Sequence, residues 1–82
     1  MFYIYILQSL ASGRYYIGSS DDVEQRLMRH NGGKVRSTKA FMPWKVVYKE
    51  AFQSRAEALK REHQLKSWKK RESLEELIQK HF

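Results

Sequence analysis

Five side chains of this 82-residue sequence have the types and spacing for joint chemistry: Tyr5, Tyr16, Arg26, His30 and Glu62. A phenol or an imidazole can move a proton, a guanidinium can hold negative charge on phosphorus, and a carboxylate can bind a divalent ion. The sequence has no cysteine, no metal-ligand pattern of Cys and His, and no Gly-rich run before Lys-Ser or Lys-Thr. The set therefore suits phosphodiester hydrolysis, and thiol catalysis is excluded.

Each of these side chains also has an ordinary structural interpretation. Two tyrosines on paired strands commonly only pack, because a phenol buries a large apolar area. A histidine on the inner side of a helix, here His30, is commonly a hydrogen-bonded core residue. Arg26 could pair with Glu24, and Glu62 could pair with Lys66 four residues later. The residues alone leave these alternatives open.

The two tyrosines fall on a predicted hairpin at the start of the chain. The run from 2 to 7 is almost continuously apolar, which favours a central strand, and the alternation of a strand places Tyr3, Tyr5 and Leu7 on one face. Ser12-Gly13 predicts a turn, so a second strand from 15 to 19 should fold back and bring Tyr16 near Tyr5. Gly18 in that strand leaves room for an approaching group, for which a phosphate is one candidate.

A helix is predicted directly after the second strand. Asp21 with Glu24 three residues later resembles a capping box, and Ser20 is an equally good cap. A turn of about 100° per residue places His30 on the inner face, with Arg26 at its margin. The helix should stop at the Asn-Gly-Gly run from 31 to 33, since Asn and Gly accept the left-handed backbone.

The second half of the sequence predicts a loop, a strand and two helices. Residues 34–42 are polar and basic and read as a loop that either follows a phosphate backbone or is a mobile connector, while 44–52 has the β-branched and aromatic content of a third strand. Ser54 begins a capping box for a helix to about Trp68, whose apolar arc is Ala58, Leu59 and Leu65, with Glu62 inside it.

A second box at 73–76 predicts the start of a last helix, which would pack through Leu74, Leu77 and Ile78. The order β-β-α-β-α-α predicts an α+β fold, a three-stranded antiparallel sheet flanked by helices, as one domain over residues 1–82.

Charge favours a polyanionic partner. The sequence carries 16 Lys and Arg against nine Asp and Glu, a formal charge of +7, and no acidic residue falls between 25 and 49. The candidates for contact with nucleic acid are Gly18, Arg29, Lys34, Arg36 and Lys39; a solvated, solubilising surface is the other interpretation. No apolar run approaches a membrane span, the first residues lack a basic leader, and cysteine is absent. A cytoplasmic protein is expected.

Tyr3-Ile4-Tyr5 and Tyr16-Ile17-Gly18 resemble the paired motifs of the GIY-YIG endonuclease superfamily. Arg26, His30 and Glu62 fall where that family has an arginine, a histidine or tyrosine, and a metal-binding glutamate. Pro-Trp-Lys at 43–45 and Lys-Ser-Trp at 66–68 are similar to its small stand-alone bacterial members of uncharacterised function. Two positions depart from the pattern: Tyr3 replaces the first glycine of the name motif, and Ser19 stands where some repair nucleases carry a lysine.

The resemblance implies a DNA nuclease of low sequence specificity in which water attacks phosphorus in line. Tyr16 would assist the water with help from His30, Tyr5 and Arg26 would hold the phosphate, and Glu62 would bind Mg²⁺ or Mn²⁺. Branched, nicked or single-stranded DNA are the candidate substrates, with a partner protein as one source of specificity. The alternatives are a non-catalytic nucleic-acid-binding module that acts with a partner protein, and a structural domain that binds no ligand.

Overall fold

A computed structural model describes residues 1–68 and 70–81 of the chain. The predicted α+β architecture is confirmed: one three-stranded antiparallel sheet carries helices in the order β-β-α-β-α-α. Its elements are β1 Phe2–Ser9, β2 Tyr15–Ser20, α1 Val23–Asn31, a short 3₁₀ helix Lys39–Phe41, β3 Trp44–Phe52, α2 Arg55–Lys66 and α3 Arg71–His81. No helix within the described residues is long and apolar enough to cross a bilayer.

The apolar first strand lies at the centre of the sheet, in the order β2-β1-β3, because it is buried on both faces. On one face Ile4 and Ile6 pack with Ala58 and Leu65 of α2, and Leu74, Leu77 and Ile78 of α3 pack against them as predicted. On the other face Tyr5 and Leu7 pack with Val23 of α1 and Trp44. The alternation of β1 therefore separates an α2–α3 face from an α1 face.

The start of α1 differs from the predicted cap by one residue. Asp22 is the cap, because its side chain accepts a hydrogen bond from the Gln25 backbone N–H at 3.1 Å. Ser20 instead forms a tight local turn: its hydroxyl oxygen accepts from the Asp22 N–H at 3.0 Å. The prediction of Asp21 or Ser20 as the cap is wrong, because that turn holds residue 22 in the extended conformation that a cap requires.

The other helix ends follow the sequence in part. α1 ends at Asn31, and the left-handed residue beyond it is Gly33, with φ of 73°. Ser54 caps α2 as predicted, accepting from the Glu57 N–H at 3.2 Å, but α2 ends two residues before Trp68. Ser73 does not start α3, because its N–H already bonds to the Lys70 carbonyl at 3.1 Å, within a helix that begins at Arg71.

The apolar arc of α2 is narrower than predicted. Ala58 and Leu65 are buried at 1% and 0% exposure, whereas Leu59 is 40% exposed. The assignment of Leu59 to the core is therefore wrong. A single sheet face covers only one side of α2, so the neighbouring position at Leu59 faces solvent.

Candidate active site

The phenol of Tyr5 occupies the space that a side chain at Gly18 would fill. Tyr5 on β1 lies opposite Gly18 on β2 in the antiparallel register. A Cβ at position 18 would lie 2.6 Å from Tyr5 Oη and 2.7 Å from Tyr5 Cζ, both well inside contact distance. The missing side chain thus makes room for the buried Tyr5 phenol, rather than for the phosphate proposed from the sequence.

His30 bridges this phenol to the segment between α1 and β3. Its Nε2 lies 3.4 Å from Tyr5 Oη, and its Nδ1 lies 2.8 Å from Thr38 Oγ1. The Thr38 hydroxyl donates its one hydrogen to the Val35 carbonyl at 3.3 Å, so Thr38 Oγ1 accepts from His30 Nδ1–H. In this tautomer the neutral imidazole presents the Nε2 lone pair to Tyr5, with Tyr5 O–H as the donor and His30 as the acceptor.

The environment keeps both groups neutral near pH 7. Burial raises the pKa of Tyr5 to about 12, and the neighbouring Tyr16 adds to the shift while Arg26 opposes it. Burial also lowers the pKa of His30, and the positive charges of Arg26 and Arg29 lower it further. An unprotonated imidazole is therefore available to take a proton from the phenol.

Thr38 is a site residue that the sequence did not indicate. It is buried at 1% exposure, and its carbonyl accepts from Trp44 Nε1–H at 3.0 Å. Further along the segment, the Phe41 carbonyl accepts from the Ser9 hydroxyl at 2.6 Å. The interpretation of 34–42 as a mobile connector is wrong, because these bonds anchor the segment. Its lack of periodicity hid the role of Thr38, which depends on a contact with another element.

Tyr16 lies beside this pair without a hydrogen bond to it. Its ring centroid lies 4.7 Å from that of His30, edge to face, and 6.4 Å from that of Tyr5. Among the side chains described in 1–68 and 70–80, every buried nitrogen or oxygen atom has a hydrogen-bond partner, so Tyr16 Oη, which has none, is not buried. The Tyr16 hydroxyl is therefore open to solvent and to a ligand.

Arg26 extends from α1 into a polar cleft. It is exposed, and the described part of the chain provides no carboxylate in ion-pair contact with it, so the proposed pairing with Glu24 is wrong. The cleft also contains Arg55, whose guanidinium lies 5.5 Å from the Phe2 ring centroid. The full lining is Phe2, Ser19, Ser20, Asp21, Arg26, Arg55 and Ala58. Two guanidiniums against one carboxylate make it a cationic cleft, and Arg55 is a cleft residue that the sequence did not single out.

Glu62 on α2 is linked to β2 by a hydrogen bond. Its Oε1 accepts from Ser19 Oγ at 2.7 Å, and its Oε2 accepts from Lys66 Nζ at 2.7 Å. Burial alone would raise the pKa of the Glu62 carboxyl, but the hydrogen bonds from Lys66 and Ser19 outweigh it and hold the pKa below its usual value. Glu62 is therefore ionised at neutral pH, at 14% side-chain exposure.

The donor atoms at Glu62 fit a hard cation. Carboxylate and hydroxyl oxygens suit Mg²⁺ or Mn²⁺, and Mg²⁺ often takes only one or two protein carboxylates and completes its shell with water and substrate oxygens. Among the residues that the structure describes, no three His, Cys, Asp or Glu side chains form a metal cluster. Glu62 could therefore serve as a protein ligand in a shell that water and substrate would complete, with one of its oxygens held in place by Ser19.

The remaining candidates for nucleic-acid contact lie on one stretch of chain. Arg29 is in the last turn of α1, and the others follow α1 on the anchored segment. Their side chains are all exposed: Arg29, Lys34, Arg36 and Lys39. A phosphate backbone could therefore reach all four from solvent, beyond the end of α1 at which His30 is buried.

The sheet, the paired tyrosines and the α1 residues define a class of protein. A sequence model of the GIY-YIG catalytic domain matches residues 1–76. The chain therefore belongs to the GIY-YIG family, which confirms the resemblance carried by its two motifs.

Within that family the chain is similar to bacterial UPF0213 proteins. One from Staphylococcus saprophyticus is 38% identical over 73 residues, which are 88% of each chain. One from Streptococcus pneumoniae is 42% identical over 77 residues, 93% of this chain and 76% of that one. The solution NMR structure of a UPF0213 protein from Bacillus halodurans superposes with a TM-score of 0.60 at 33% identity, over 96% of this chain and 84% of that one.

Proposed function

We propose that this protein is a metal-dependent endonuclease that hydrolyses DNA phosphodiester bonds with low sequence specificity. The observation that carries the proposal is the contact of Tyr5 Oη with His30 Nε2 at 3.4 Å, beside an arginine that has no ion-pair partner among the described residues. A proton acceptor and a guanidinium are what hydrolysis at phosphorus requires, since a proton must leave water while charge grows on the phosphate. A cationic cleft next to them suits a phosphodiester.

The geometry favours a division of roles between the tyrosines that differs from the one expected. Tyr5 is the phenol that contacts His30, and at 2% exposure it is more enclosed than Tyr16. We propose that Tyr5 Oη accepts a proton from the attacking water while the phenol passes its own proton to His30 Nε2. With the pKa of Tyr5 near 12, roughly 10⁻⁵ of the phenol is ionised at pH 7. A concerted transfer avoids that rare phenolate.

The open hydroxyl of Tyr16 and the guanidinium of Arg26 are then the groups that hold the phosphate. Both are accessible, and Arg26 supplies charge where the transition state gains it. Glu62, oriented by Ser19, would hold the Mg²⁺ or Mn²⁺. When bound there, such an ion would supply further positive charge to stabilise the transition state. We place this reaction in the cytoplasm, where bacterial DNA is found.

The test incubates purified protein with end-labelled duplex, nicked, branched and single-stranded DNA in Mg²⁺, Mn²⁺ or EDTA. Cleavage that EDTA suppresses supports the proposal. Binding without cleavage under every condition would favour the non-catalytic binding module that acts with a partner protein. Preference for one DNA form would show structure selectivity, which the cleft by itself does not specify.

Variants assign the roles. Tyr5→Phe, Tyr16→Phe and Arg26→Ala should each reduce cleavage by roughly 10²-fold or more, because each removes a group that acts in the transition state. Tyr15→Phe is the matched control, since Tyr15 packs on the opposite face of the sheet with the Ile4 cluster. Glu62→Gln should abolish metal-dependent cleavage, with the exposed Glu57→Gln on the same helix as its control. Full activity in Tyr5→Phe would refute the proton path.

A further inference from the structure

Lys66 occupies one side of the carboxylate that we assign to the metal ion. Its Nζ lies 2.7 Å from Glu62 Oε2, and the other oxygen is bonded to Ser19 at the same distance. The two partners differ in kind: Ser19 is a neutral donor on a strand, whereas Lys66 is a full positive charge on a flexible stem. The positive charge of Lys66 thus balances the negative charge of the ionised Glu62 in the free protein.

The Lys66 contact is the more easily exchanged of the two. Its side chain is 51% exposed, against 14% for Glu62. Ion pairs between such neighbours on a helix surface are weak, because water screens them and the long lysine side chain loses freedom when it is held. Solvent or another anion can therefore replace Glu62 as the partner of Lys66 at little cost.

A divalent cation and the Lys66 ammonium compete for the same carboxylate. The ammonium neutralises the charge that attracts the ion and lies against Oε2, and two cations at one oxygen repel each other. Ser19 has no net charge, so it can keep its bond to Oε1 when an ion binds. Occupation of Glu62 by a metal ion should therefore expel Lys66 and leave Ser19 in place.

The expelled ammonium would stand on the side of α2 that faces the cleft. At about 100° per residue, Arg55, Glu62 and Lys66 fall within about 40° of one another on the helix. Arg55 at the start of that stripe lines the same cleft as Arg26 and Ser19. Eleven residues of rise separate Arg55 from Lys66, about 16 Å along the helix axis. A nucleic-acid strand that lay in the cleft and continued along α2 would reach Lys66.

We propose that Lys66 is a substrate-binding residue that Glu62 holds in the free protein and releases to a nucleic-acid phosphate when a divalent ion binds. This inference rests on the proposed function, because it takes Glu62 as the metal ligand. It makes metal and DNA binding cooperative: the ion frees Lys66 for phosphate, and phosphate draws Lys66 from Glu62. The coupling must be equal in both directions.

The first experiment measures Mn²⁺ binding to the free protein by titration calorimetry and by paramagnetic broadening of the amide signals around residue 62. Lys66→Met keeps the aliphatic stem and removes the charge, so Mn²⁺ should bind severalfold more tightly than to wild type. Lys60→Met is the matched control, because Lys60 is an exposed lysine of α2 that forms no ion pair with any described residue. It should leave Mn²⁺ affinity near the wild-type value.

The second experiment measures DNA affinity with and without Mn²⁺ in proteins that carry Tyr16→Phe to suppress cleavage. With Lys66 present, Mn²⁺ should tighten DNA binding severalfold more than in Lys66→Met. Equal enhancement in the two proteins would overturn the proposal.

The outcomes separate this inference from the function on which it rests. If Glu62→Gln removes Mn²⁺ binding while Lys66→Met binds Mn²⁺ as wild type does, the exchange is wrong and Glu62 remains the metal ligand. If Glu62→Gln leaves Mn²⁺ binding unchanged, the metal assignment and the exchange both fail. Circular dichroism of each variant establishes that the fold is intact.

Discussion

Tyr5 Oη on the central strand lies 3.4 Å from His30 Nε2 on α1, although 25 residues separate them along the chain. The distance is long for a hydrogen bond, as catalytic contacts often are before substrate binds. Thr38 fixes the imidazole from the other side at 2.8 Å. The relationship gives a buried phenol an oriented proton acceptor, which a tyrosine placed only for packing does not need.

The stability of the protein should depend on pH through His30. Burial, Arg26 and Arg29 lower the pKa of His30 in the folded state, and the uncharged Tyr5, Tyr16 and Thr38 face it from the strands and the following segment. As pH falls below about 6.5, His30 binds a proton in the unfolded chain but stays unprotonated in the folded protein. The free energy of unfolding should then fall by up to about 1.4 kcal/mol per pH unit, until the folded pKa is reached.

Urea denaturation between pH 7.5 and 5 measures this effect, with His30→Gln as the reference. The variant should be less stable than wild type at pH 7.5 but should lose less stability on acidification. Parallel pH curves for the two proteins would show that His30 titrates alike in the folded and unfolded states.

Gly18→Ala should displace the Tyr5 phenol. The new Cβ would lie 2.6 Å from Oη, and the aromatic ring, enclosed in the core, cannot turn aside. Overpacking of this kind costs about 1–3 kcal/mol, and cleavage should fall with it as Tyr5 leaves His30. Thermal melts and cleavage rates measure the two effects.

A double-mutant cycle identifies the cause of that loss. Tyr5→Leu removes the atoms that the new methyl group meets, so Gly18→Ala should cost less stability in the Tyr5→Leu protein than in wild type. Equal costs in both backgrounds would place the strain at Tyr16 instead, whose Cε1 would lie 3.1 Å from the new Cβ. Cleavage should remain low in the double variant, because the phenol is absent.

The cap of α1 offers a matched pair of adjacent aspartates. Asp22→Ala removes the acceptor for the Gln25 N–H and should destabilise the fold by about 1 kcal/mol. Asp21→Ala, one residue earlier and equally exposed, should stay within about 0.5 kcal/mol of wild type. Chemical denaturation at pH 7 compares them, and a larger loss in Asp21→Ala would contradict the capping geometry.

DNA affinity should depend steeply on salt, because Lys and Arg contacts to phosphate release counterions. Replacing Lys34, Arg36 and Lys39 together with alanine should weaken binding to all sequences alike and reduce the slope of log K against log salt by up to about 3. Fluorescence anisotropy between about 50 and 200 mM salt measures it.

The control for that variant also removes three positive charges, by replacing Lys60, Lys70 and Lys80 with alanine. All three are exposed, and they lie on α2, directly before α3 and on α3. The control should retain most of the slope. Equal losses in the two triple variants would mean that net charge, rather than the segment after α1, attracts DNA.

Local patterns in the sequence determined most of the fold, and the candidate site residues stay a prediction that the sequence supplied. The apolar run of β1 determined the centre of the sheet, and Ser54 determined the start of α2, because strand alternation and helix capping act between near neighbours in the chain. The motif tyrosines, Arg26, His30 and Glu62 were identified through their ordered resemblance to a family. The cap at Asp22 was missed by one residue because three adjacent polar side chains could each serve.

Only the tertiary structure decided how these side chains are connected. The contacts of Ser19 with Glu62 and of Thr38 with His30 depend on how a strand, two helices and an aperiodic segment pack, which no local period encodes. The structure also shows that the Tyr5 phenol fills the space at Gly18 and that the hydroxyl of Tyr16 is not buried. Composition and spacing supplied the chemical groups, and long-range packing set which of them lie within hydrogen-bond distance, because a hydrogen bond is lost when its two atoms move apart by a few tenths of an ångström.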